Sequence, residues 1–136
     1  MKLSAKAEYA CLAALALARH RPDAPPLHVR EISEANAIPE RYLVQILLRL
    51  KGAGLVQSTR GASGGYRLAR PAEGISIGEV LAAIDGPDAP AREPQGPAGR
   101  ALAVVWQHVR TAESAVLDKF TLAMLAAQTS PREWVI

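Results

Sequence analysis

The chain is short of the residues on which much small-protein chemistry is built. Its 136 residues include one cysteine, Cys11, and one phenylalanine, and aromatics are 4% of the total. A single thiol makes no internal disulfide, so folding does not call for an oxidising compartment. No apolar run approaches the ~20 residues needed to span a bilayer. Met1, Lys2, Leu3 and Ser4 lead straight into a helical pattern with no signal peptide. These absences predict a soluble cytoplasmic protein with no membrane partner. His20, His28 and His108 lack metal-ligand spacing, so no metal site is expected. There is no Ser/His/Asp or Cys/His arrangement, and the glycines at 61–65 lack the Gly-Lys-Ser/Thr ending of a phosphate loop. The chain does not read as an enzyme.

Apolar residues are 49% of the chain, and alanine and leucine supply most of them, which favours helices. The formal net charge is +3, unevenly spread. Residues 1–70 carry 11 Lys/Arg against 5 Asp/Glu, a balance of +6, and residues 71–136 carry 5 against 8, a balance of −3. A basic first half and an acidic second half point the first half at a polyanion.

Ser4 suits an N-cap for a helix running to about His20, with Leu3, Ala7, Cys11, Ala14, Leu15 and Ala18 at helical spacing. The proline-containing stretch 22–26 ends it. A short second helix is expected over about 29–37. A third begins after Pro39, with Leu43, Ile46, Leu47 and Leu50 as its buried stripe, and stops at Gly52 and Gly54. Residues 55–60 and 66–69 read as two strands around a turn at 61–65. Ser76 caps a fourth helix. Residues 86–99 hold four prolines and three glycines and read as a linker, either folded over an effector or a disordered tether. A last periodic stretch over about 100–128 carries Leu102, Val105, Trp106, Val109, Val116, Leu117, Phe120 and Met124. Thr121 marks a break in it, and Pro131 stops it.

On the third helix a second stripe lies apart from the core-facing one: Arg41, Val44, Gln45 and Leu48, at i, i+3, i+4 and i+7. In a helix-turn-helix such a stripe meets base edges. Arg41 matches guanine O6 and N7, Gln45 matches adenine N6 and N7, and Val44 suits a thymine methyl. Glu40 either accepts from cytosine N4 or simply suits the first helical turn. The hairpin follows directly. Gly61, Gly64 and Gly65 let backbone approach DNA closely, Arg60 and Arg67 flank the turn, and an arginine there can enter a narrow minor groove. Ser63 and the turn amides suit phosphate. Helix, turn, helix and basic glycine-rich hairpin in that order make a winged helix-turn-helix.

These motifs resemble the Rrf-two family of bacterial transcription regulators, the IscR/NsrR-like proteins. The matching residues are Met1 to Ser4, Tyr9 and Ala10, Glu31 to Glu34, Ile38 and Pro39, Tyr42 and Leu43, and Gln45 to Leu47. They continue through Leu50, Ala53 to Val56, Arg60 and Gly61, Gly64 to Tyr66, Leu68 and Ala69, and on to residues 75–80. A looser similarity reaches Trp106 and Phe120 to Leu122. The resemblance implies a homodimer whose long C-terminal helix crosses to the partner, with Leu102, Val105, Trp106, Val109, Val116 and Phe120 at the interface. It implies that double-stranded DNA is the partner, each subunit offering one wing and one reading helix to a palindrome half-site. By the same carry-over Arg41, Gln45 and Arg60 are base-contact candidates, and Ser4, Tyr42 and Ser63 are backbone-contact candidates. Val44 departs from relatives that use glutamate there. Many relatives hold an iron–sulfur cluster on three cysteines between the fourth helix and the long one. This chain has none in that stretch, so no cofactor is expected, although Glu8 matches a position that supplies an oxygen ligand in some relatives.

The expectation is therefore a mainly α protein: a winged helix-turn-helix with a two-stranded wing (1–85), a Pro/Gly-rich linker (86–99), and a dimerisation helix with a C-terminal tail (100–136). It would act as a homodimeric repressor on a palindromic operator, without a cluster, either under a small-molecule or protein effector or under none. The alternative is a degenerate member that keeps the fold and serves as a protein-interaction module.

Overall fold

The computed structural model describes residues 2–62, 64–86 and 93–129. Six helices and one two-stranded sheet follow in the order α1 (Ala5–Arg19), α2 (Val29–Asn36), α3 (Glu40–Gly52), β1 (Val56–Thr59), β2 (Gly65–Leu68), α4 (Ile77–Asp85), α5 (Gly96–Lys119) and α6 (Leu122–Thr129). A single 3₁₀ turn, Ala72–Gly74, links β2 to α4. The strands are antiparallel, pairing Val56 with Leu68 and Thr59 with Gly65.

Local chemistry sets most of these boundaries. The Ser4 hydroxyl accepts from the Ala7 amide at 3.1 Å, and the Ser76 hydroxyl does the same for Glu79 at 3.1 Å, each satisfying a donor that the first turn of a helix leaves unpaired. The Glu31 carboxylate accepts from the His28 amide ahead of α2, at 3.2 Å. Thr121 Oγ1 accepts from the Met124 amide, starting α6 afresh after the break at Phe120.

α1 is the central helix, packed against α3, α4 and α6. It buries Ala7, Ala10, Ala13, Ala14 and Leu17, and those small side chains let neighbouring helices approach closely. The core is completed by Ile32, Ile38, Leu43, Ile46, Leu47, Leu50, Ile75, Val80, Ile84 and Leu122. The expected stripe on α1 is rotated: Ala10 and Ala13 are buried, whereas Leu3 stays exposed. An alanine-rich helix that is apolar on every side carries no phase for periodicity to read.

Two further expectations are corrected. The linker 86–99 yields its last four residues to α5, because Pro97 lies in the first turn, where its ring is preorganised and no amide is needed. The C-terminal segment also does not stand apart. Leu122 is fully buried, its amide donates to the Ile75 carbonyl at 2.9 Å, and the Ile77 amide donates to Phe120 at 2.8 Å. Residues 87–92 of the linker, together with Pro131, lie outside the described residues.

Three arginines tie elements together through backbone carbonyls. Arg49 of α3 donates to Ile84 at the end of α4, Arg67 of β2 donates to Pro22 and Ala24 ahead of α2, and Arg70 donates to Gly74 while also pairing with Glu79 at 2.9 Å.

Candidate nucleic-acid interface

α3 reaches the surface by way of α2. The turn between them passes through Ala37, a non-glycine residue in the left-handed region at φ 52°. It is held by the Ile38 amide donating to the Ser33 carbonyl at 3.1 Å and by the Ser33 hydroxyl donating back to the Ile38 carbonyl. Ile38 is buried and pins the turn to the core. α3 then buries Leu43, Ile46, Leu47 and Leu50, the stripe expected from spacing alone.

The opposite stripe, Arg41, Val44, Gln45 and Leu48, is exposed along its whole length, as is Glu40 in the first turn. The Arg41 guanidinium stacks over the Tyr42 ring, 4.9 Å from its centroid, and donates to Tyr42 Oη at 3.2 Å. This arrangement restrains the two side chains against each other at the start of the helix. Lys51 reaches Ser58 on β1 at 2.8 Å, tying the end of α3 to the wing.

At the wing, Arg60 and Gly61 are exposed at the tip, and Gly61 has φ +103°, a conformation glycine adopts without strain. Gly64 and Gly65 lie deeper. A Cβ on Gly64 would stand 2.9 Å from the Gly61 carbonyl oxygen, and one on Gly65 would stand 2.7 Å from the Leu27 carbonyl carbon. Both glycines are therefore required by packing of the wing itself. Leu27 and Tyr66 exchange hydrogen bonds of 3.1 and 2.8 Å, so the stretch before α2 forms a one-residue third strand. Local pattern gave no signal for this, since Leu27 is an isolated apolar residue behind two prolines.

The predicted site residues divide accordingly. Glu40, Arg41, Tyr42, Val44 and Gln45 share the exposed side of α3, and Arg60 and Gly61 stand at the wing tip. Arg67, expected to flank the turn as a DNA contact, is half-buried and engaged with Pro22 and Ala24, so it holds the wing root. Ser4 sits at the start of α1, where its oxygen caps the helix by accepting from the Ala7 amide. Ser63 lies outside the described residues. α5 buries none of its residues. Leu102, Val105, Trp106, Val109, Val116 and Phe120 are all exposed in the single chain.

A comparison with protein-family models finds a match to Rrf2, described as "Iron-dependent Transcriptional regulator", over residues 3–128. The chain belongs to the Rrf2 family. It is similar to the HTH-type transcriptional regulator CymR of Bacillus subtilis, 37% identical over 131 residues that cover 95% of this chain and 92% of that protein. Among solved structures it resembles CymR of B. subtilis, titled the global cysteine regulator of that organism, at TM-score 0.80 and 36% identity over 95% of this chain and 98% of that one. It also resembles T. potens IscR, at TM-score 0.78 and 32% identity over 94% and 88% of the two chains. This Rrf2 protein is thus a DNA-binding transcriptional regulator with a winged-helix fold, from a family of regulators rather than enzymes.

The iron in the family description finds no cluster of cysteine donors here. Cys11 is the chain's one cysteine, and no group of three His, Cys, Asp or Glu residues is placed to hold a metal among the described residues. The Cys11 thiol is itself a poor ligand. Its pKa is raised from 9.0 to about 11 by burial, with Glu8 and Asp85 adding to the effect. The neutral thiol is the favoured form, and thiolate is what binds metal or attacks an electrophile. Cys11 is therefore expected to react with iodoacetamide at pH 8 on the order of 100-fold more slowly in the folded protein than in denaturant, from the two-unit shift alone. Equal rates in the two states would refute the burial argument. The sign for stability follows: the contribution is present in full below pH 9 and is lost as pH rises from 9 towards 11. Among the described residues, no helix is long and apolar enough to cross a membrane.

Proposed function

We propose that the protein is a homodimeric repressor that binds a palindromic operator without an iron–sulfur cluster, with α3 in the major groove and the wing tip in a neighbouring minor groove. The observation that carries this is the pairing, on one folded unit, of an exposed stripe of base-matching side chains on α3 with an exposed arginine at a braced wing tip. Arg41 and Gln45 read bases, Arg60 reads the minor groove, and Ser4, Tyr42, Ser63 and the glycine-rich turn position the backbone. The exposed apolar side chains of α5 support the dimer: Leu102, Val105, Trp106, Val109 and Val116 all meet water in the single chain, and a second copy offers the matching surface. A small molecule or a protein acts as the effector.

The test is selection of genomic DNA fragments by the purified protein, followed by sequencing. One enriched palindrome is the expected result. Arg60→Ala should then lose about 1–3 kcal/mol of specific binding, with relaxed preference at one position. Undiminished discrimination between operator and scrambled DNA would remove Arg60 from the reading set. Failure to enrich any sequence would favour an interaction module that keeps the fold.

A further inference from the structure

Ahead of α5, the large apolar side chains that stay exposed among the described residues are Leu3, Tyr42, Val44 and Leu48. Three of the four are on α3, although that helix already buries a complete apolar stripe on its other side. Tyr42 is accounted for by its contact with Arg41. Val44 is 39% exposed, and Leu48, at 56%, is the most exposed of the four and lies outside the core cluster. At i and i+4 the two stack on one face, about 6 Å apart along the helix axis. They share that face with Arg41 and Gln45, the side chains suited to base edges.

An isobutyl or isopropyl group has nothing to offer a phosphate or a base-edge donor. The major groove presents one apolar feature, the C5-methyl group of thymine. We infer that Val44 and Leu48 together form an apolar reader for pyrimidine C5-methyl groups, contacting two thymines about two base steps apart in each half-site, with Leu48 as the specificity-determining residue for the second. The inference rests on the DNA-binding reading of α3 and adds base identity to it. It also places base contact a full turn deeper along the helix than Arg41 and Val44 alone would.

The probe is the selected operator with each thymine replaced in turn by deoxyuridine, which deletes the methyl group and leaves every hydrogen-bonding edge intact. Wild-type affinity should fall about fourfold at each contacted position, the effect of losing one buried methyl-sized group. In Leu48→Ala one of the two uracil effects should vanish and the other persist, and in Val44→Ala the converse, a coupling that a double-mutant cycle isolates. Both positions are exposed and alanine is the stronger helix former, so unchanged thermal melting serves as the folding control. Operator binding indifferent to every uracil would overturn the methyl reader while leaving the DNA function standing. Both uracil effects surviving in Leu48→Ala would overturn the role of Leu48 and assign its surface to another partner, such as a protein. Absence of any selected operator would remove the DNA reading and the methyl reader together.

Discussion

Val109→Glu, midway along α5, is expected to turn the proposed dimer into a monomer and to lower operator affinity by on the order of 100-fold or more. Val109 is exposed in the single chain, so glutamate there meets water and leaves the monomer's fold intact. Against a two-fold related copy the same carboxylate meets an apolar face that includes Trp106 and Val105, and symmetry places the burden on both subunits. The loss in DNA binding exceeds the loss of any single contact. In the proposed dimer two joined reading heads would bind the second half-site at a high effective concentration, and separated heads would not. Sedimentation would report the mass, and operator titration the affinity. A mutant that remains dimeric and binds DNA fully would place the interface elsewhere than α5.

Gly65→Ala is expected to unseat the wing. A Cβ at this position falls within 2.7 Å of the Leu27 carbonyl carbon and closer still to its oxygen. Both are backbone atoms, with no rotamer by which to yield. The φ of +157° is also one that alanine rarely adopts. The expected cost is about 3 kcal/mol, or about 10 °C in melting temperature. The amides of Leu27 and Tyr66 should lose hydrogen-exchange protection, because their mutual hydrogen bonds are the first to open. DNA binding should weaken with it, since Arg60 rides on the displaced hairpin. Full protection at those two amides would mean that the backbone shifts more readily than its packing implies.

Much of this architecture was legible in the sequence because short-range chemistry decides it. Ser4 and Ser76 cap helices where their spacing predicts, Leu43, Ile46, Leu47 and Leu50 face the core, and Thr121 divides α5 from α6. What was not legible depends on partners distant in the chain. Arg67 reads as a wing contact from its place beside the turn, yet residues about 45 positions away engage its guanidinium. Leu27 becomes a strand only because Tyr66 lies beside it. The rotation of α1 is fixed by three neighbouring helices rather than by its own alanines. On α3 the stripe was visible but not its use, since exposure of Leu48 is a property of the folded surface.

The arginine-to-carbonyl ties have a consequence for how binding experiments on this protein read. Arg49 and Arg67 each hold elements together through a guanidinium that donates to a neutral backbone carbonyl. A charge facing a neutral dipole is little weakened by added electrolyte, unlike an exposed ion pair. Raising ionic strength therefore leaves these two braces in place, whereas the half-exposed Arg70–Glu79 pair is screened. The slope of log affinity against log salt then counts neutralised phosphates, uncontaminated by loosening of the wing or of the α3–α4 contact.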